Sequence, residues 1–172
     1  MHSHFRTRTI LATLALCTLV APIAHGVEPE ESAFDGILVH YEAIWQALTQ
    51  DTFDGVTEHG GAIQQIVSDL EGDFSAARAG VAADAAGEVE ALLPELATAA
   101  ESLSASDSLE AARDAFYDLS KPMVRYRKAA TGQRPVVAYC SMAKRSWLQP
   151  EGEIGNPYYG SAMLTCGEVV DG

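Results

Sequence analysis

Positive charge is what this sequence has least of. Eleven lysines and arginines face 24 aspartates and glutamates, a formal net charge of −13. That balance excludes a generic nucleic-acid binder, which needs a basic footprint to displace counterions from phosphate, and it disfavours docking on anionic lipid. Long apolar runs are missing too. The longest, Ile10 to Val20, is about a dozen residues against the ~20 a spanning helix needs. No Gly-rich phosphate loop, nucleophile elbow, haem-attachment motif or paired Glu-x-x-His occurs, and the many carboxylates sit at helical surface spacings without a distinguishing pair. The sequence therefore reads as non-catalytic.

What the first residues do contain is an export pattern. Arg6 and Arg8 form a basic start, Ile10 to Val20 an apolar middle, and Ala24-His25-Gly26 the small residues at the positions a signal peptidase reads. Residues 1–26 are thus expected to be a cleaved signal peptide, which places the product in the periplasm or outside the cell. Cys17 lacks the small preceding residue of a lipoprotein site. The expected mature chain, 27–172, is a single domain of 146 residues with two cysteines, a net charge of −15 and no transmembrane segment.

The charge divides that chain. Val27 to Ser120 carries two arginines against 20 acids, whereas Lys121 to Gly172 carries seven bases against four. A solvated acidic helical surface that keeps an exported protein soluble accounts for the first region.

The acidic region reads as helix throughout. Phe34, Ile37, Leu38, Tyr41, Trp45 and Leu48 recur on one helical face to about Thr49, with Ser32 as N-cap and Asp35 three residues on. Phe53, Val56, Ile63, Ile66, Val67, Leu70 and Phe74 continue in a second helix, weakened by Gly60-Gly61. Ala76 to Ala100, with eleven alanines, leads into a third helix through Leu103 that Pro94 kinks or restarts. A fourth opens at Asp107 with Glu110 three residues on and runs to about Ala130, bent near Pro122. Four such stripes are buried by packing antiparallel, so the expected fold is mainly α: an up-down four-helix bundle over about 32–130.

Beyond Gly132 the pattern changes. Arg134 to Tyr139 is short, β-branched and bounded by breakers, like a strand; Met163 to Cys166 with Val169-Val170 reads as its return strand, across a loop rich in Gly and Pro. Residues 131–172 are expected to form a small irregular β/loop C-terminal cap on the bundle. Both mature cysteines, Cys140 and Cys166, lie in it with Met142 and Met163. Thiolates and thioethers are soft ligands that select Cu(I) or Ag(I), so these four residues are the candidate metal ligands. Lys144 and Arg145 would favour the Cys140 thiolate, and Trp147 would cover the site or pack in the core. The competing states are a Cys140–Cys166 disulfide stapling the cap, with the methionines as core filler, and free structural thiols.

In this stretch Tyr139-Cys140-Ser141-Met142-Ala143, Trp147-Leu148-Gln149, Glu153-Ile154, Asn156-Pro157-Tyr158-Tyr159-Gly160, Met163-Leu164 and Cys166-Gly167-Glu168-Val169 follow in order. The series resembles the signature of a bacterial domain of unassigned function found at the C-terminus of CusB-type periplasmic adaptors of heavy-metal efflux pumps and in stand-alone exported proteins. Tyr41, Ala47-Leu48, Asp51 and Phe53 are similar to that family's helical region. Ser141 stands where the family usually has proline. The resemblance implies a periplasmic accessory to copper or silver handling, with an efflux-system or metal-carrier protein as partner.

Other candidates carry less. His40 and His59 have no ligand-spaced partner in sequence and read as surface or internally satisfied histidines. Asn156 to Gly160 reads as a structural turn. Lys121, Arg125, Arg127, Lys128 and Arg134 are placed to meet an acidic partner or the chain's own acids.

Overall fold

Ser32, Ser75 and Ser108 each accept a hydrogen bond from the backbone N–H three residues on, and each opens a helix. The computed structural model describes residues 31–172, and the expected signal peptide lies outside the described residues. The described chain is mainly helical, with a small three-stranded sheet at its C-terminus.

Helix α1, Ala33–Thr49, buries Phe34, Ile37, Leu38, Tyr41, Ile44 and Leu48. Ile44 thus takes the core position that the spacing assigns to Trp45. Trp45 is half-buried beside the core and donates its indole N–H to the Gly155 carbonyl at 2.8 Å, tying the helix to the cap.

Helix α2, Val56–Gly72, starts from Gly55 in the left-handed region at φ 77°. The two glycines in its middle behave differently. A Cβ on Gly60 would fall 2.7 Å from the backbone N of Ser104 and 2.8 Å from the Leu103 Cβ, whereas one on Gly61 would meet nothing within 4 Å. Gly60 therefore lets another helix cross closely, and Gly61 has no such reason. Gly60→Ala is expected to destabilise by about 1 kcal/mol or more, overpacking outweighing helix propensity; Gly61→Ala should stabilise by up to ~1 kcal/mol. Urea midpoints of the two variants, moving in opposite directions, check this.

The alanine-rich stretch and the expected third helix form three pieces: α3 (Ala76–Ala79), α4 (Ala86–Glu90) and α5 (Leu93–Ser104). Gly80, at φ 73°, ends α3 against Ser32, where a Cβ would lie 2.5 Å from the serine hydroxyl. Pro94 lies in the first turn of α5, where its missing N–H costs nothing, so it restarts a helix and does not kink one. Alanine favours helix everywhere in the stretch and so locates no boundary. Helix α6, Leu109–Ala129, is capped by Ser108, one residue later than expected, and continues through the buried Pro122. In packing, α1 lies on α2, α2 on α5, α5 on α6 and α6 on α1.

The cap begins with strand β1, Val136–Cys140, two residues later than the pattern suggests. Its hairpin partner is β2, Arg145–Gln149, in the register Ala138 opposite Trp147. The expected return strand at Met163 is therefore corrected: Met163 to Cys166 form turn, and only β3, Glu168–Asp171, pairs with the other edge of β1. A four-residue turn with Lys144 at φ 55° brings β2 back at once, so the nearest segment wins the pairing.

The helices and cap share one core. Val137, Ala138, Cys140, Trp147, Leu148 and Tyr158 pack into the same cluster as the helical stripes. At the junction the buried Tyr41 hydroxyl lies 2.6 Å from Ser120 Oγ and accepts the Leu148 N–H at 3.0 Å, linking α1, α6 and β2.

Candidate functional site

Cys140 ends β1 with its side chain buried, and the turn after it folds the Ala143 N–H back onto its sulphur at 3.4 Å. Cys166 arrives from the other direction. After Pro157 the chain makes a 3-10 turn, Gly160–Ala162, and the Cys166 N–H closes on the Met163 carbonyl at 3.0 Å. The two residues are free thiols with sulphurs 2.8 Å apart.

Buried polar side chains hold this geometry. Asn156, fully buried, donates from Nδ2 to the Cys166 carbonyl at 2.7 Å, while its Oδ1 accepts the N–H groups of Tyr158 at 2.8 Å and Tyr159 at 3.3 Å. Gln149, also fully buried, accepts the Trp147 indole N–H at 3.0 Å and the Gly155 N–H at 3.2 Å, and donates to the Glu153 carbonyl at 2.9 Å. Gly167, at φ 156°, passes so close to Trp147 that a Cβ would lie 2.7 Å from the indole. Trp147 is thus a core residue on which the chain beside Cys166 rests. The Tyr158 hydroxyl donates to the Ser146 carbonyl at 2.7 Å, and its ring meets Trp147 edge-on at 5.8 Å.

The thiols are not equivalent. Burial pushes the Cys140 thiol up, but hydrogen bonds from the Cys166 thiol, the Ala143 and Met142 N–H groups and the Asn156 amide hold it below the usual thiol range. Cys166 is raised, chiefly because its thiol donates to Cys140, with burial adding to the effect. Arg145, expected to favour the Cys140 thiolate, pairs with Asp114 at 2.8 Å and lies over the Tyr117 and Tyr158 rings.

Met142 and Met163 are not core filler. They are 64% and 36% exposed, in the turn after Cys140 and the turn before Cys166. Neither is on a strand. Among the described residues no three His, Cys, Asp or Glu side chains converge.

A clamp anchors the far side of the cap. Asp51, at φ 57°, accepts from Arg113 Nη2 at 2.5 Å and from the Ser161 hydroxyl at 2.5 Å and N–H at 2.9 Å; Arg113 also donates to the carbonyls of Pro157 and Leu48. Hydrogen bonds from Ser161 and Arg113 bring the Asp51 carboxyl down to about 2. A carboxyl depressed in the fold contributes stability above its unfolded value, ~4, and loses that contribution as pH falls towards 2. Asp51→Asn should flatten the dependence of the urea midpoint on pH between about 4 and 2; an unchanged slope would mean that the clamp does not titrate.

Outside the cap, the histidines and part of the basic cluster find partners within the chain. His40 on α1 and His59 on α2 are partners, with Nδ1 atoms 3.0 Å apart. A separation of 19 residues on two helices carries no ligand spacing in sequence. His40 is lowered, first by burial and then by His59, with Glu31 acting against both. Three members of the basic cluster meet the chain's own acids: Lys121 pairs with Asp118, Arg125 with Glu95 and Arg127 with Asp171.

No protein-family model, curated protein or solved structure matches this chain. Among the described residues no helix is long and apolar enough to cross a membrane.

Proposed function

We propose that the protein is an exported, non-catalytic accessory that binds a soft monovalent cation, Cu(I) or Ag(I), at the cap and delivers it to, or withholds it from, a heavy-metal efflux or resistance system. Cys140 and Cys166 supply thiolates, and Met142 and Met163 supply thioethers. The reading is carried by one observation: two exposed methionines flank a thiol pair of which one member is held toward thiolate. The scaffold is taken to be an up-down four-helix bundle, supported by the closed ring of contacts from α1 through α2 and α5 to α6.

Two sulphurs on one ion at about 2.3 Å each stand roughly 3.8 Å apart at a tetrahedral angle. The pair, at 2.8 Å, opens by about 1 Å on binding. Cys166 must also lose its proton, so uptake weakens as pH falls. Reduced protein of the expected mature chain, 27–172, should take up close to one equivalent of Ag(I), and Cys140→Ser/Cys166→Ser should lose it. Equal uptake by the double variant would end this proposal.

The same spacing favours a second reading. A disulfide needs the sulphurs at about 2.05 Å, a smaller movement, and would leave an interaction module with a stapled cap and no metal. Protein purified natively from the exporting cell would then lack two hydrogens by intact mass and lose stability on reduction. Free thiols in that preparation would exclude it.

A further inference from the structure

His40 and His59 are half-buried, so solvent reaches them, and each is carried by a 17-residue helix. Their rings are 5.2 Å apart by centroid and tilted by 42°, and the Nδ1 atoms face each other at 3.0 Å. Only one of two facing imidazole nitrogens can carry a proton; the other must present its lone pair.

We propose that this pair is a second metal site, for a divalent cation of the Cu(II) type, separate from the sulphur site and independent of the reading given to it. Metal–imidazole bonds are about 2.0–2.1 Å, so two nitrogens 3.0 Å apart subtend about 94° at the ion. That angle suits neighbouring positions of a square-planar or tetragonal centre, the preference of Cu(II) and Ni(II), and is tight for tetrahedral zinc. Imidazole also ranks with the ligands copper takes readily. The step is balanced: the bridging Nδ1 proton moves to Nε2 of the same ring through solvent, both imidazoles stay neutral, and the ion takes the two Nδ1 lone pairs after a modest ring rotation.

Glu58 precedes His59, and Glu31 lies close enough to His40 to act on its charge, so the field at the pair favours a cation. Among the described residues no third His, Cys, Asp or Glu converges on it, so water completes the coordination.

The test uses Cys140→Ser/Cys166→Ser protein of the expected mature chain, 27–172, in which His40 and His59 are the histidines and no cysteine remains, with CuCl2 added below one equivalent. Paramagnetic broadening of the imidazole NMR signals reads which histidines bind. The His40 and His59 signals, assigned with His40→Gln and His59→Gln, are expected to vanish together. Each single variant should protect its remaining partner by at least tenfold in added copper. Loss of one signal without the other, or undiminished broadening in the single variants, overturns the proposal. Unchanged circular dichroism of the glutamine variants separates lost ligation from lost folding.

Discussion

Trp147→Ala is expected to lower the free energy of unfolding by about 3–5 kcal/mol, the range for emptying a fully buried large aromatic site. The indole is among the largest fully buried side chains, packs edge-on to Tyr158, and shares Gln149 Oε1 with the Gly155 N–H. Its loss also removes the surface on which Gly167 rests. The chain beside Cys166 then loosens, and the thiol pair with it. Urea unfolding should show the midpoint falling while the slope is kept, and Cys166 should react faster with a thiol reagent. Trp147→Phe, which keeps most of the packing, should lose much less. A loss below about 1 kcal/mol for alanine would show that the cap does not depend on this residue.

The second large effect belongs to the C-terminal strand. Arg127 is completely buried; its Nε donates to the Pro135 carbonyl at 2.6 Å, Nη1 to Asp171 at 2.9 Å, and Nη2 has no hydrogen-bond partner among the described residues. Removing one partner of a buried pair leaves an uncompensated charge, which costs about 3–5 kcal/mol. Asp171 is 48% exposed, so water can replace part of it, and Asp171→Ala is expected at the lower end, near 3 kcal/mol. The test is a double-mutant cycle. Arg127→Met/Asp171→Ala removes the stranded charge and should be more stable than Asp171→Ala alone, because a well-packed apolar group replaces a buried ion pair at little or no loss. A double variant less stable than the single one would contradict the account.

Much of the helical half is legible from residue order because its signals are local. Ser32 with Asp35 caps α1, the apolar spacing carries that helix to Thr49, and Pro94 marks a restart. Legibility fails where one local preference covers several outcomes. The alanine-rich stretch favours helix at every position, yet Gly80 breaks it because the turn there has to pass Ser32. Ile44 and Trp45 are adjacent in sequence and about 100° apart around the helix, and Trp45 is the one that turns from the core to donate to the Gly155 carbonyl.

The candidate site divides in the same way. That both cysteines of the expected mature chain belong to one C-terminal cap can be read from composition and breakers. That Cys140 carries the lower-pKa sulphur cannot, because the groups responsible are turn N–H donors and the buried Asn156 amide. Asn156 and Gln149 organise the loop by hydrogen bonds that their positions in an Asn-Pro turn and at a strand end do not reveal.

By itself the sequence determined the acidic helical half, the change of character after Gly132 and the collection of Cys140, Met142, Met163 and Cys166 beyond it, since propensity, periodicity and composition act over a few residues at a time. Tertiary structure alone decided that β2 and not Met163–Cys166 pairs first with β1, that Gly60 and not Gly61 is needed, that Asp171 answers Arg127, and that His40 meets His59. Each of those is a contact between distant parts of the chain, and the path that brings them together is set by packing the whole core at once.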